Sequence, residues 1–404
     1  MTTTAPTPVI RDAPPMRYGA LIAMMLLSFL LVTAEFLPNG VLIEMADSLG
    51  VTPGQAGQTV TVTALVGFVV APTIGLIVPR MDRRLLLVWM AVAAAVSSVV
   101  AGIAPSLPLI LLSRALLGMA ISAFWAMSIT VAARLAGPDR LGRAVMFTSA
   151  GVSLATVAGV PVGVLLSEIL DWRAVFVLTG ILTGLLAIVL RIALPSVPAD
   201  RAASLRVLAD AARRPGVGLG LAGHVLIVLG HFLAYTYIRV ALDRVPEVRP
   251  DQIVLLLALF GVGGLIGNLV IGLLVDRSFG PLSVIAPLAI AAAITATALL
   301  PGSIVAVGVA VVVWGFFFAS WLIVINTWVG HRLPDRLEAG GSLVVTGFQG
   351  AITLAAATGG VLIDTMGVGA VDGIGVALLV VGATLFAVAG RRRQAGIASD
   401  SAPR

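Results

Sequence analysis

Twelve apolar runs of about 20 residues divide this chain of 404 residues, the first at 18–42 and the last at 372–390. An α-helix rises about 1.5 Å per residue, so each run is long enough to cross a hydrocarbon layer of about 30 Å. Backbone N–H and C=O groups find no water there, which restricts spanning segments to helices or closed barrels. Runs of this length are helices. Composition agrees: 59% of residues are hydrophobic and 11% charged, against about 25% charged in an average soluble domain. The first seventeen residues are polar and Pro-rich, and no small-residue cleavage pattern follows the first run, so that run is expected to stay in the mature protein.

The charges that remain set the orientation. All 25 basic residues are Arg. With the N-terminus in the cytoplasm, 20 of them fall on inside segments and 3 (Arg173, Arg244 and Arg249) outside, while Arg114 and Arg239 fall within helices. Cytoplasmic loops carry the excess of Arg and Lys, so both termini are predicted to be inside and the number of spans even. The net charge of +6 thus reports orientation and does not mark a nucleic-acid surface. The longest inside connection divides the helices six and six. The expected organisation is a cytoplasmic tail over 1–17, an N-terminal half over 18–194, a linker over 195–215, a C-terminal half over 216–390 and a second tail over 391–404.

Several chemistries are absent from the outset. The chain has no Lys and no Cys, which removes a Walker A loop, Schiff-base chemistry, thiolate catalysis, Cys-ligated zinc and disulfides. With three His and no HExxH pattern, an intramembrane enzyme is only a distant alternative to a transporter. No cofactor and no metal are expected. An offset of 197 residues lays 55–80 over 252–277 with seven of 26 positions identical, among them Gly67/Gly264, Gly75/Gly272 and Arg80/Arg277. Two six-helix halves related by an axis along the membrane normal describe a transporter built of parallel repeats. The fold class is therefore an all-α membrane protein with 12 transmembrane helices.

Ionisable residues inside a membrane are costly and mark function. Glu35 lies well inside the first span, where an acid that gains and loses a proton would serve proton coupling; a structural ion pair is the plain alternative. Arg114, a few residues into the fourth span from outside, is its natural partner, or else a packing brace. Helical spacing puts Ser28, Glu35 and Asn39 on one stripe, and Arg114, Gly118, Ile121, Trp125 and Ser128 on another. On the seventh span His224, His231 and Tyr235 fall within one arc. The two histidines are two turns, roughly 10 Å, apart, too far to share an ion. A substrate-facing stripe and ordinary interhelical hydrogen bonding both fit, with His231 preferred. Trp314, Phe316, Phe317, Phe318 and Trp321 make the tenth span aromatic, and Trp314 is the candidate for substrate contact. Asn326 and Gln349 read as interhelical hydrogen-bonding amides. In GVPVG (159–163), Pro161 should bend its helix, and Gly159 and Gly163 allow close helix approach. A hinge or seal and simple packing are equally served.

TAEFLPNGVLIEMADSLGVT (33–52), SRALLG (113–118), GVSLATVAGVPVG (151–163) with DWRAVF (171–176), GHFLAYTYI (230–238), GLLVDRSFG (272–280) and WGFFF (314–318) together resemble the major facilitator superfamily. They are most similar to its bacterial 12-helix drug:proton antiporters, a group that also holds sugar and purine efflux proteins. The resemblance implies proton-coupled export of small organic compounds by alternating access from the bacterial inner membrane, by a chain active as a monomer. It supports proton coupling at Glu35, for which depth makes Arg114 the partner, and the preference for His231; the helix faces and rings make Asn39, Trp125, Ser128, His231, Tyr235 and Trp314 the candidate substrate contacts. The family's loop motif between spans eight and nine is intact here as Gly272, Asp276, Arg277 and Gly280. Its first copy, GLIVPRMDRR (75–84), has Pro79 where the acid belongs. Gly159, Pro161 and Gly163 match the antiporter motif of the fifth span. Hydrophobic drug-like compounds are the first expectation for substrate. Sugar or nucleoside/purine efflux, or a proton symporter or facilitator, are the alternatives on the same fold.

Overall fold

The computed structural model describes residues 16–51, 53–199 and 204–400, and among these the regular structure is entirely helical. The N-terminal half comprises α1 (Tyr18–Gly40), a short α2 (Leu42–Leu49), α3 (Pro53–Ile77), α4 (Arg83–Ile103), α5 (Leu107–Ala136), α6 (Leu141–Leu154), α7 (Val160–Leu170) and α8 (Trp172–Ala193). After α9 (Leu205–Arg213) come α10 (Val217–Thr236), α11 (Ile238–Leu242), α12 (Pro250–Leu299), α13 (Ile304–Arg332) and α14 (Leu337–Asp400).

Eleven stretches are long and apolar enough to cross a membrane, and one of them, Gln252–Leu299, has 48 residues. At about 1.5 Å per residue that stretch is about 72 Å long, which is two crossings. They meet at Ser278, where φ −121° and ψ 27° leave the helical region. The total is the expected twelve. In α14 the break between the last two spans is Gly367, whose φ of 77° is a left-handed angle that glycine adopts without a Cβ clash.

Both inner segments carry helix. The linker 195–215 holds the amphipathic α9, with Leu208 and Ala211 turned into the protein. The 391–404 tail continues the last helix through Asp400. Residues 1–15, 52, 200–203 and 401–404, and with them most of the N-terminal tail, lie outside the described residues.

The fifth span is built in three pieces. Between α6 and α7 the chain takes a π turn, Ala155–Gly159, and Pro161 sits in the first turn of α7. Proline offers no N–H to the carbonyl one turn back, and a wider i→i+5 turn is one way a helix absorbs that loss. Gly159 lies against Thr33 and the Phe29 ring of α1, and Gly163 against Leu37. The GVPVG run therefore closes the fifth span onto the first, inside one half.

The halves meet along α6 against α12 and α13, and along α3 and α5 against α14. Small residues set these approaches: a Cβ on Gly272 would strike Met146, one on Gly341 the Ala126 carbonyl, and one on Gly330 the Leu141 side chain. The outer piece of the fifth span behaves differently, because α7 packs on α8, α1 and the π turn of its own half. Cross-half polar contacts among the described residues lie at the inner ends or mid-membrane. The Asp276 carboxylate accepts the main-chain N–H groups of Gly142 (2.9 Å) and Arg143 (3.4 Å), capping α6 from the opposite half. Midway, Asn268 donates to the Ser149 carbonyl (3.1 Å) and to Ser153 Oγ (2.6 Å). These polar contacts tie the halves together at their inner ends and midway, while α7 packs within its own half.

The N-terminal copy of the loop motif closes by another route. Asp82 does not replace the acid missing at Pro79, because it caps its own helix α4 through Arg84 N (2.8 Å) and holds Ser196 and Val197 at the start of the linker. The cross-half contact is Arg83 on Glu338 of α14. Arg83 Nε donates to Oε1 at 2.5 Å and Nη2 to Oε2, while Nη1 holds the Val78 and Met81 carbonyls. Beside it, Arg214 at the linker's end pairs both guanidinium nitrogens with Asp335 (2.6 and 2.5 Å). Those hydrogen bonds hold the Asp335 carboxyl's pKa down at about 2. A lowered carboxylate pKa means the pair's contribution is present at cytoplasmic pH and is lost only as pH falls through the acid range.

Arg83 is fully buried, and leaving such a charge without its partner costs about 3–5 kcal/mol, most of it in the state closed inside. The native chain has no Cys, so a single engineered thiol reports accessibility cleanly. Leu141→Cys, at the inner contact between halves, is expected to react with a membrane-impermeant maleimide in everted vesicles at least tenfold faster when Glu338→Gln is added; an unchanged rate would show that this ion pair does not hold the inner face shut.

Candidate functional site

Two clusters, one in each half, lie in the membrane-spanning helices. In the N-terminal half, Glu35 lies five residues from the outer end of α1 and Arg114 seven residues into α5, about 8 and 10 Å from those helix ends. Pro38 withholds the N–H that the Ala34 carbonyl would take within the helix. Arg114 Nη2 donates to the neighbouring carbonyl, that of Glu35, at 3.1 Å. The sequence reading paired Arg114 with the Glu35 side chain. The hydrogen bond instead goes to the backbone, and the carboxylate is close enough for an electrostatic interaction with the guanidinium. Arg114 is fully buried, and its Nε and Nη1 have no hydrogen-bond partner. A fixed cation with two spare donors beside an acid is suited to exchanging partners.

Other residues on those stripes have local duties. Ser28 Oγ donates to the Thr148 carbonyl (2.7 Å), binding α1 to α6. Gly118 takes α5 against the Thr63 backbone of α3. Ser128 Oγ is satisfied by the Trp125 carbonyl of its own helix (2.9 Å), and Trp125 is half-buried, edge-on to Phe124. The side chain of Asn39 lies outside the described residues, as does that of Pro161.

In the C-terminal half α10 and α13 run antiparallel, and two His–Trp pairs join them in one register. Trp321 Nε1 donates to His224 Nδ1 (3.1 Å), and Trp314 Nε1 donates to His231 Nδ1 (3.0 Å). The pairs differ in what is left over. His224 Nε2 meets the Val344 carbonyl at 3.2 Å, so that ring is fully satisfied and structural. His231 has no such second bond among the described residues, and it sits in a cluster of rings with Tyr235, Phe260 and Phe318. Asn326 bonds within its own helix, to the Leu322 carbonyl. Gln349 reaches across to Gly67 of the other half. Of the loop-motif residues, Gly272 and Asp276 make the cross-half contacts above, while Arg277 and Gly280 are exposed beside the Ser278 break.

Two buried polar residues escaped the sequence reading. Asp372 in the last span is 3% exposed with Oδ2 unpartnered. Asn268 is the cross-half amide of the eighth span. Each is a lone polar residue in an apolar run, the same signal that singled out Glu35.

The helical architecture is that of a membrane-embedded protein of two six-helix halves. Comparison with known proteins makes the class specific. Residues 24–243 match the Major Facilitator Superfamily model. The purine ribonucleoside efflux pump NepI of Escherichia coli (strain K12) is 34% identical over 338 residues, covering 83% of this chain and 85% of that protein. The pump of the same name from Salmonella paratyphi C (strain RKS4594) is 33% identical over 351 residues, covering 87% and 88%. Among solved structures, the proton:xylose symporter XylE aligns with a TM-score of 0.71 at 14% identity over 91% of this chain and 94% of that one. The human organic anion transporter MFSD10 aligns at 0.72 with 16% identity over 92% and 99%. These two likenesses concern the fold alone. The chain belongs to the major facilitator superfamily and is a multi-pass membrane transporter, not an enzyme. Its bacterial efflux-pump relatives agree with an inner-membrane location.

The two His–Trp pairs are expected to separate on mutation. Trp321→Phe strips His224 Nδ1 of its donor in a buried site, which costs about 1–3 kcal/mol. Thermal unfolding of the purified protein in detergent should shift down by several degrees while the substrate profile in vesicles stays as in wild type. A changed profile with unchanged melting would place His224 in the transport pathway instead.

Proposed function

We propose that the chain exports purine ribonucleosides and closely related small organic compounds, driven by protons moving inward. Similarity to pumps of that name over 83% of the chain supports nucleosides over the general drug-like substrates that the sequence put first. The observation that carries the coupling reading is the wholly buried Arg114 with two unused N–H donors beside Glu35. In this scheme a substrate hydroxyl donates to ionised Glu35 and a substrate oxygen accepts from Arg114. A proton arriving from outside takes the Glu35 acceptor away, and the substrate leaves to the outside. The return to the inward-facing state, with the inner ends separated, lets the proton go into the cytoplasm. The π turn and Pro161 are the hinge of the fifth span in that motion. Both walls of the pathway come from one chain, so a monomer is the working unit.

Everted vesicles loaded acid-inside, given radiolabelled inosine, test this directly. Wild type should accumulate inosine when the pH gradient is imposed. Glu35→Gln should lose gradient-driven accumulation by at least tenfold while still exchanging labelled for unlabelled inosine at equilibrium. Gradient-driven uptake by Glu35→Gln at the wild-type rate would remove Glu35 from coupling. Failure of the wild type to move any purine nucleoside, with drug-like cations moved instead, would overturn the substrate class.

A further inference from the structure

The internal repeat, which detected the two halves, also relates their interiors. Under the offset of 197 residues His231 falls on Ala34, the neighbour of Glu35, and Trp314 falls on Leu117, one helical turn from Arg114. Spans one and four of the first half therefore correspond to spans seven and ten of the second. The same place in the fold holds a charged pair in one half and an uncharged aromatic pair in the other.

The aromatic side is organised. Phe318 lies nearly parallel to the His231 ring, at 9°. Tyr235 stacks on His231 with centroids 5.1 Å apart at 19°, and Phe260 continues the series 4.8 Å from Tyr235. Trp314 stands across them, at 83° to His231. The ladder is buried at its middle, where His231 and Trp314 lie, and half-exposed at Phe318, Tyr235 and Phe260. Two polar groups on it are unused. Because His231 Nδ1 accepts from Trp314, the ring's proton is on Nε2, and that donor has no acceptor among the described residues. The Tyr235 hydroxyl has no partner among them either. Interhelical packing alone asks for neither the parallel ring faces nor spare hydrogen-bonding groups in so apolar a place. A flat heteroaromatic ring with acceptors on its edge meets both.

We infer that the two halves divide the substrate between them: the C-terminal ladder of His231, Tyr235, Phe260 and Phe318 binds the heteroaromatic ring, with His231 Nε2–H and the Tyr235 hydroxyl reading its edge, and Trp314 is the positioning residue that fixes the His231 tautomer. This rests on the purine nucleoside reading and deepens it. The ring is recognised by its face and edge, and the Glu35–Arg114 side deals with the hydroxylated remainder and the proton. Ribose without a base then binds poorly, and a free purine base retains most of the affinity.

Binding to purified full-length protein in nanodiscs, followed with labelled inosine and competed with hypoxanthine or ribose, tests the assignment. Phe318→Leu and Phe260→Leu keep apolar bulk and remove the ring face, and each is expected to weaken inosine and hypoxanthine binding by about tenfold. Trp314→Phe should weaken both ligands similarly while leaving Glu35-dependent proton uptake on acidification at the wild-type level, a readout that loss of packing would disturb. His231→Gln, which retains a donor, should bind better than His231→Leu. If the ring variants are monodisperse and bind inosine within twofold of wild type, the ladder is structural and the inference is overturned, with the purine reading intact. If ribose competes with inosine on the wild type as well as hypoxanthine does, the ring is not what the ladder reads, and the inference fails. If the wild type binds no purine ligand, the function proposed above fails, and this assignment with it.

Discussion

Hydrocarbon satisfies no hydrogen bond, and it drives helices together no more strongly than it solvates them. The structure depends on that constraint at every level. Because apolar side chains gain little by leaving lipid for protein, the contact surfaces are set by how closely backbones can approach. Gly272, Gly330 and Gly341 lie where α6 or α5 must touch the other half, and each stands against an atom that a Cβ would strike. A large exposed apolar surface, such as Leu112, Ile169, Ile192 and Val305 present, is lipid-facing here and not a liability. Polar side chains gain the importance that apolar ones lose, since each buried one needs a partner, and those without a full set are few.

The cytoplasmic closure shows one constraint met in two ways. In the C-terminal copy of the loop motif the acid is present, and Asp276 reaches across to the N-terminus of α6, where free N–H groups and the helix dipole favour an anion. In the N-terminal copy proline holds that place. The charge there is supplied in reverse, with the cation on the loop as Arg83 and the anion in the first turn of α14 as Glu338. An anion near a helix N-terminus appears in both, once brought by the other half and once carried by the helix itself. The linker adds to this closure, since Val197 is tied to Arg83 through a backbone bond of 2.8 Å and Arg214 to Asp335.

What could be read from the chain and what could not follow from the range of each interaction. Span number, orientation and the six-and-six division depend on local apolar runs and on Arg placement, and the helical crossings agree with the expected number of spans. The bend in the fifth span was legible because Pro161 acts on its own helix; that the bend takes the form of a π turn was not, since competing local geometries satisfy the same proline. Arg83 and Glu338 are 255 positions apart, and nothing in the pattern of either segment points to the other. Glu35 and Arg114 were legible as a pair by depth, but the bond goes to a carbonyl, which depth does not distinguish. Asp372 and Asn268 obeyed the rule that found Glu35 and were passed over because they lie near a boundary or carry no charge. Phe260 was legible only through Tyr235, since a ring in an apolar helix is indistinguishable from packing until its neighbours are known.

The unequal halves also bear on the proton coupling proposed above. If both halves carried charged pairs, a proton arriving at either would change the site, and substrate binding would depend on two titrations that partly cancel. In that scheme Glu35 and Arg114 form one wall and the neutral His231–Trp314 pair belongs to the other, so protonation of Glu35 would alter one wall and leave the other as it was. A ligand held by both walls would then lose a fixed part of its attachment when the proton binds. An energetic coupling is a difference in affinity between two states, and it is largest when the group that changes contacts the ligand and the group that holds the ligand does not change.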